Sequence, residues 1–261
     1  MAVIPIISSA AQRDTNPIVR LGLNPFPWYQ QMRASSPVRF NEQEGTWELF
    51  CYDDILHALL HPTLFSSQHD IHANQEVPGS ILHLDPPQHR QLRQLISQAF
   101  TPWMVTQLAP QIQTLVHRML DQKEASGRMD IIDDLAAPLP ILVTAEMLGI
   151  PPQDRINFRH NSDALISFDS ARTAEAHTAL QTSIHTLITQ RRQQPGKDLI
   201  SALMTVQPGN TSLAEQDIID FCTLLAIAGH ETTTNLIGNA VLCIDEHPQF
   251  WEQLRANPLL L

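Results

Sequence analysis

Leu224–Asn235 reads LLAIAGHETTTN, an apolar run of helical character that holds a glycine, a carboxylate and three threonines. Glycine in a helix interior costs about 1 kcal/mol relative to alanine, and mid-helix threonines bond back to the carbonyl one turn earlier. Something must offset that cost. At 3.6 residues per turn Leu225, Ala228, Gly229, Thr232 and Leu236 share one face, with Glu231 at its edge beside Thr232. At Ala228 and Gly229 the face is flat enough for a wide planar ligand to lie against backbone. A hydroxyl and a carboxylate then stand one turn away, an arrangement suited to proton delivery. The competing reading is that the small residues let another helix cross closely and that Thr232 satisfies itself on the Ala228 carbonyl. Zinc binding by His230 and Glu231 fails on spacing, because a metalloprotease helix needs HExxH and the residue four after His230 is Thr234.

A second stretch, His83–Pro102, reads HLDPPQHRQLRQLISQAFTP. Asp85 suits an N-cap, Pro86 a first helical position, and Gln88 completes a capping-box pattern, so a helix over Pro86–Ala99 is expected. Leu92, Leu95, Ile96 and Ala99 form its buried side, while His89 and Arg93 lie four apart on one face. The hexapeptide Ala228–Thr233, AGHETT, resembles the distal-helix signature of the cytochrome P450 family, the haem-thiolate monooxygenases. His83–Pro102 resembles, over its whole length, the helix that clamps haem in the same family. By that resemblance His89 and Arg93 would hold the haem propionates, since imidazole and a forked guanidinium suit carboxylate oxygens. Ala228 and Gly229 would lie against the ring.

The composition agrees with an ordinary globular protein. With 261 residues, 43% of them apolar, the chain can bury a substantial core, and no repeat or linker divides it, so a single domain over 1–261 is expected. The formal net charge of -11 argues against a nucleic-acid partner. Cys51, Cys222 and Cys243 are too few and too scattered for a disulfide framework or a CxxC metal site, which indicates a reducing compartment. The N-terminal MAVIPIISSAAQ has no basic residue before its apolar patch, and no run approaches the roughly 20 apolar residues of a membrane span. A cytoplasmic location, away from membranes, is the expectation.

Working outward, the prolines around Phe26 open a short helix over Pro25–Arg33, and VRF and TWELFC, separated by NEQEG, read as a hairpin. Tyr52–His61 returns to helical spacing, with Ile55, Leu56, Leu59 and Leu60 as an apolar side to pack on the hairpin. His57 and His61 have the spacing of a helical metal pair, and His69 and His72 follow. No third ligand is signalled, so these histidines are read as solvated. Phe65–Gly79 carries turn formers and reads as a loop over a site. Pro102–Ser126 is a long amphipathic helix with Val105, Leu108, Ile112, Leu115, Val116, Met119 and Leu120 inward and Gly127 as its stop. Leu139–Leu148 is a further helix, closed by Gly149 and the Pro151–Pro152 pair. Gln153–Gln194 reads as two helices broken around Ser167–Ser170, and Gly196–Thr205 as one more. Ser212 and Glu215 form a capping box for the central helix, which runs roughly 50 Å to Pro248 and should be buried over Phe221–Ala228.

The resemblance extends from the first helix to Leu261. It implies a mainly α fold, cytochrome P450-like, with a small β-sheet on one side. The implied cofactor is haem b, iron protoporphyrin IX, and the implied chemistry is oxygen activation, in which Glu231 and Thr232 deliver protons. Electrons would come from NAD(P)H through ferredoxin and reductase partners, and O2 and a small organic molecule would be the substrates. The helix pair within Gln153–Gln194 would roof the pocket, which makes Phe158, Leu165, Ile166 and Phe168 candidate pocket residues together with Leu225. The family's thiolate ligand, in a glycine-rich loop after an ExxR helix, is not found in this chain, so no metal ligand is assigned. Glu252–Arg255 spells ExxR by accident of spacing, inside PQFWEQLRANP, which resembles the short helix before the motif. A fragment truncated at the C-terminus, and inactive by itself, is therefore expected. A catalytically dead remnant that still binds haem or another ligand is the rival reading. The substrate's identity is not legible, because pocket loops vary independently of fold.

Overall fold

The computed structural model describes residues 25–68, 80–165, 170–206 and 212–257. They fall into two compact units, Met1–Gln68 and His69–Leu261, each taken here by itself. A single domain is an expectation that this division leaves as a proposal. Helices dominate, with one two-stranded sheet, which is the expected fold class.

In the smaller unit α1 (Phe26–Ser35) leads into the hairpin of β1 (Val38–Asn41) and β2 (Thr46–Leu49), followed by α2 (Tyr52–Leu60). The strands are antiparallel with Arg39 opposite Glu48 and Phe40 opposite Trp47. Gly45 closes the turn at φ +65°, a conformation that glycine adopts without strain. The Arg39 guanidinium donates to Glu48 at 2.6 Å, and Asn41 donates to the other carboxylate oxygen at 2.8 Å. Cross-strand pairing of this kind fixes register. One expectation fails. Helix α2 buries none of its residues: Ile55, Leu56, Leu59 and Leu60 are all exposed. A four-residue hairpin offers too little surface to cover a helix face. The His57 and His61 rings stack at 4.0 Å, and His69 and His72 lie outside the described residues, as does most of the expected loop.

The larger unit holds α3 (Gln88–Ala99), α4 (Pro102–Glu124), α5 (Pro138–Leu148), α6 (Arg155–Leu165), α7 (Ser170–Gln193), α8 (Leu199–Thr205), α9 (Glu215–Glu246) and α10 (Pro248–Ala256). A π-helical turn, Ile132–Ala136, precedes α5. The spine is α9, 32 residues and roughly 48 Å long, with α5, α6, α7 and α8 packed along it. Ile141, Leu148, Leu180, Ile184, Ile188, Leu199, Ile200, Leu203 and Cys222 are essentially inaccessible and form the common core.

Helix ends show where local signals held. Gly149 closes α5 at φ +78°, Asp198 caps α8 by accepting from the Ser201 amide at 2.8 Å, and Thr101 caps α4 from the Met104 amide at 3.1 Å. Three starts differ from expectation, the first being α8, which begins at Leu199 and not Gly196. Helix α3 begins at Gln88, not Pro86, with Pro87 rather than Asp85 at the N-cap. A proline disfavours helical geometry in the residue before it, and Pro86 precedes Pro87. Helix α9 begins at Glu215 behind Ala214, and it is Asp217 that accepts from the Ala214 amide at 3.0 Å. That leaves Glu215 to bridge Arg192 and His185 of α7. On α4, Met119 is buried as expected but Val105 and Leu120 are exposed. Among the described residues no helix is long and apolar enough to cross a membrane.

Candidate functional site

The site is built on the middle of α9, where burial divides the helix lengthwise. Cys222, Thr223, Ala226 and His230 are buried. On the other side Ala228 and Thr232 are exposed, Leu225 and Gly229 are half-buried, and Leu236 is 68% exposed. Burial all round Phe221–Ala228 was expected, and Ala228 departs from it. The small-residue stripe is thus an open, nearly flat strip of surface.

The geometry bears on both readings of Gly229 and Thr232. A Cβ at Gly229 would stand 3.0 Å from the Thr144 hydroxyl of α5, so its smallness serves a close helix crossing. The flatness belongs to Ala228, whose methyl points outward. The Thr232 hydroxyl donates to the Ala228 carbonyl at 2.8 Å. Its lone pairs remain able to accept a proton donor, and Glu231, half-buried, is the adjacent residue. Thr234 spends its hydroxyl on the Ala136 carbonyl of the π-turn at 3.0 Å, which ties α9 to the start of α5.

On α3, Leu95, Ile96 and Ala99 are buried as expected, with Leu92 packed against the same core. This anchors the helix and presents His89, half-buried, and Arg93, exposed, on one face. Neither side chain is bonded to another among the described residues. A guanidinium and an imidazole left unpaired fit an anionic partner from outside the chain. At the foot of α3, Phe100 meets Phe221 of α9 edge to face at 5.9 Å, which joins the two site helices.

Of the roof candidates, Phe158 (4% exposed) and Leu165 (8%) lie in the core cluster. Phe158 also lines a cleft of about 250 Å³ between α6 and α7, together with Ile150, Pro151, Asn157, Thr182 and Leu187. Ile166 and Phe168 lie outside the described residues. None of the three cysteines is placed as a metal ligand. Cys222 is fully buried with its thiol pushed up by desolvation, Cys51 is half-buried at the head of α2, and Cys243 is exposed on α9. Among the described residues no cluster of three or more metal-ligating side chains forms.

Sequence reasoning missed His230 in any role but zinc. It is 5% exposed, its Nδ1 is enclosed without a hydrogen-bond partner, and its Nε2 lies 3.6 Å from the Asp163 carboxylate of α6. Burial holds its pKa below the ordinary value against the opposing pull of Asp163. Also missed was Asp220, buried on α9 and accepting from Gln216 at 2.8 Å and Gln181 at 3.3 Å. Desolvation raises its pKa and lowers that of nearby His177. A titratable residue inside an apolar run was the available signal in both cases.

Comparison with known proteins follows the same lines. No family model matches the chain. It is 35% identical over 249 residues to the putative cytochrome P450 YjiB of Bacillus subtilis, covering 91% of this chain and 63% of that protein. It is 35% identical over 242 residues to the erythromycin C-12 hydroxylase of Saccharopolyspora erythraea, covering 88% of this chain and 60% of that one. The crystal structure of CYP109E1 from Bacillus megaterium in complex with testosterone superposes with a TM-score of 0.83 at 34% identity, over 91% of this chain and 64% of that one. The chain therefore spans a little under two thirds of the length of these relatives. With sequence and fold in agreement along about nine tenths of its length, the chain belongs to the cytochrome P450 family.

Proposed function

We propose that the chain is the distal, substrate-facing part of a haem-dependent monooxygenase that inserts one oxygen atom of O2 into a small organic molecule. The observation that carries this reading is the open strip Ala228–Thr232–Leu236 on the side of α9 away from buried Cys222, Ala226 and His230, with a carboxylate beside the hydroxyl. One relative, the erythromycin C-12 hydroxylase, is a hydroxylase by name, which supports the reaction class.

Haem b, when bound, supplies the reductive activation of dioxygen. His89 and Arg93 would bind its propionates and so orient the ring. Ala228 would let the ring approach the α9 backbone, because nothing larger than a methyl projects there. Thr232 would hold a proton at its Oγ1: the hydroxyl already donates to the Ala228 carbonyl, and its lone pairs can take a hydrogen bond from a proton donor. Glu231 would resupply that proton from solvent. Leu225 and the α6 residues Phe158 and Leu165 would line the substrate side with apolar surface. Ile166 and Phe168 belong to the same proposal. A cytoplasmic setting with ferredoxin and reductase feeding electrons from NAD(P)H completes it.

The test is Thr232→Ala in the haem-loaded enzyme. Product per NAD(P)H should fall while peroxide rises and haem content stays constant. An unchanged ratio of product to NAD(P)H would remove Thr232 from proton delivery.

A further inference from the structure

We infer that His230 is a positioning residue for the Glu231–Thr232 pair, held in place by Asp163, so that the proton-handling turn of α9 is tied to helix α6. The inference rests on the proposed function of that turn.

Three observations carry it. First, His230 is nineteen-twentieths buried in the turn that holds the two proposed proton carriers, one residue before Glu231 and two before Thr232. Second, its Nε2 faces Asp163 at 3.6 Å, and Asp163 is in turn 3.8 Å from Arg159 one turn earlier on α6, so imidazole, carboxylate and guanidinium line up across the helix interface. Third, its Nδ1 is enclosed and has no partner, which leaves Asp163 as the group that orients the ring. A buried imidazole is not held there by apolar packing alone, because an enclosed ring nitrogen without a partner is unfavourable. The attraction to Asp163 offsets part of that penalty. At 3.6 Å the contact is longer than a proper hydrogen bond. Its strength therefore depends on how closely α6 sits over α9, and small movements of α6 change it.

The charges acting on the ring are those of Asp163 and Arg159 from α6 and Glu231 from its own helix, with Asp163 and Glu231 favouring the protonated form and Arg159 opposing it. Asp163 sits on α6 together with Phe158 and Leu165, the proposed pocket residues. A ligand that shifts α6 would then alter the orientation of the ring and, through it, the backbone that carries Glu231 and Thr232. Filling of the pocket and readiness to deliver protons would be linked, and the linkage must be reciprocal.

The first readout needs no activity. In isotope-labelled protein, the His230 ring is followed by NMR through a pH titration. Even at the dielectric of water, unit charges 3.6 Å apart change a proton's affinity by roughly sevenfold. Asp163→Asn should therefore weaken protonation of His230 by about that factor or more, Arg159→Gln should strengthen it, and Asp163→Glu should restore most of the parental behaviour. An unmoved His230 in Asp163→Asn would overturn the tie. The second readout is coupling in the haem-loaded enzyme, measured on parent, Thr232→Ala, His230→Phe and His230→Gln. The inference expects His230→Phe to divert NAD(P)H to peroxide and His230→Gln, which keeps a polar group facing Asp163, to do so less. If Thr232→Ala uncouples and His230→Phe does not, the inference fails while the proposed function stands. If neither uncouples, both fail.

Discussion

Truncating His89 and Arg93 of α3 separates haem binding from folding. Arg93 is exposed and His89 half-buried, and neither bonds another side chain among the described residues. Arg93→Ala and His89→Ala therefore delete nothing the folded chain uses, and each should change stability by less than about 0.5 kcal/mol, as surface substitutions do. The buried leucine and isoleucine of α3 keep the helix seated. Haem retention is another matter. A hydrogen bond to a charged group contributes about 1.5 to 3 kcal/mol, and screening at an exposed guanidinium places Arg93 at the lower end. A loss of about 1.5 kcal/mol is roughly tenfold in the rate of haem release. The double variant should not reach the product of the two, because neighbouring side chains on one helix face are coupled. Transfer of haem to excess apomyoglobin, followed by absorbance, gives the rate, and thermal melting gives stability. Arg93→Lys, which keeps the charge but loses the fork, should fall between. Parental release rates in both alanine variants would refute the propionate role. A faster release that merely tracks a lowered melting temperature would do so too.

Other expectations concern the core and its buried polar groups. Gly149→Ala should destabilise by about 1 to 3 kcal/mol in urea titrations, since φ is +78° and the new methyl would stand 2.5 Å from Asp198. Leu180→Ala, at a fully buried site, should lose about 2 to 5 kcal/mol by the same measurement. Thiol reagents should label Cys243 quickly in the native protein and Cys222 only on unfolding, because Cys222 is wholly enclosed. His177 and His230 are both held below the ordinary 6.5 by burial, so the unfolded chain takes up protons first as pH falls. Their contribution to stability is present above 6.5 and lost below it, and the urea midpoint should drop between about pH 7 and about pH 5. His177→Gln should flatten that slope. Asp220, raised by desolvation, acts oppositely and stabilises only where it is protonated, so Asp220→Asn should raise the midpoint at about pH 7.

The helices were legible because their signals are local. Gly149 after an apolar run and Pro248 after a long unbroken stretch each mark an end that the fold keeps. Where two local signals competed, sequence could not rank them. Ser212–Glu215 and Ala214–Asp217 both offer an acidic residue three positions on, and the choice fell to Glu215 reaching Arg192 across from α7. Periodicity likewise marks an apolar side without saying that anything covers it, as Val105, Leu120 and the face of α2 show. The proposed site residues were named by motif, and their exposure could not have been. That Gly229 lies close to Thr144 of α5, and that His230 faces Asp163 on α6, are facts of the α5–α9 and α6–α9 crossings.

The C-terminal part of helix α7 makes several ties at once. Near its C-terminus Arg191 joins the Gly149 carbonyl at 3.0 Å and Asp198, while Arg192 and His185 both reach Glu215. One short stretch thus gathers the close of α5, the cap of α8 and the start of α9 into a single pivot. Loss of Arg191 would therefore loosen the close of α5 and the cap of α8 at once, so its replacement should cost more stability than either contact alone.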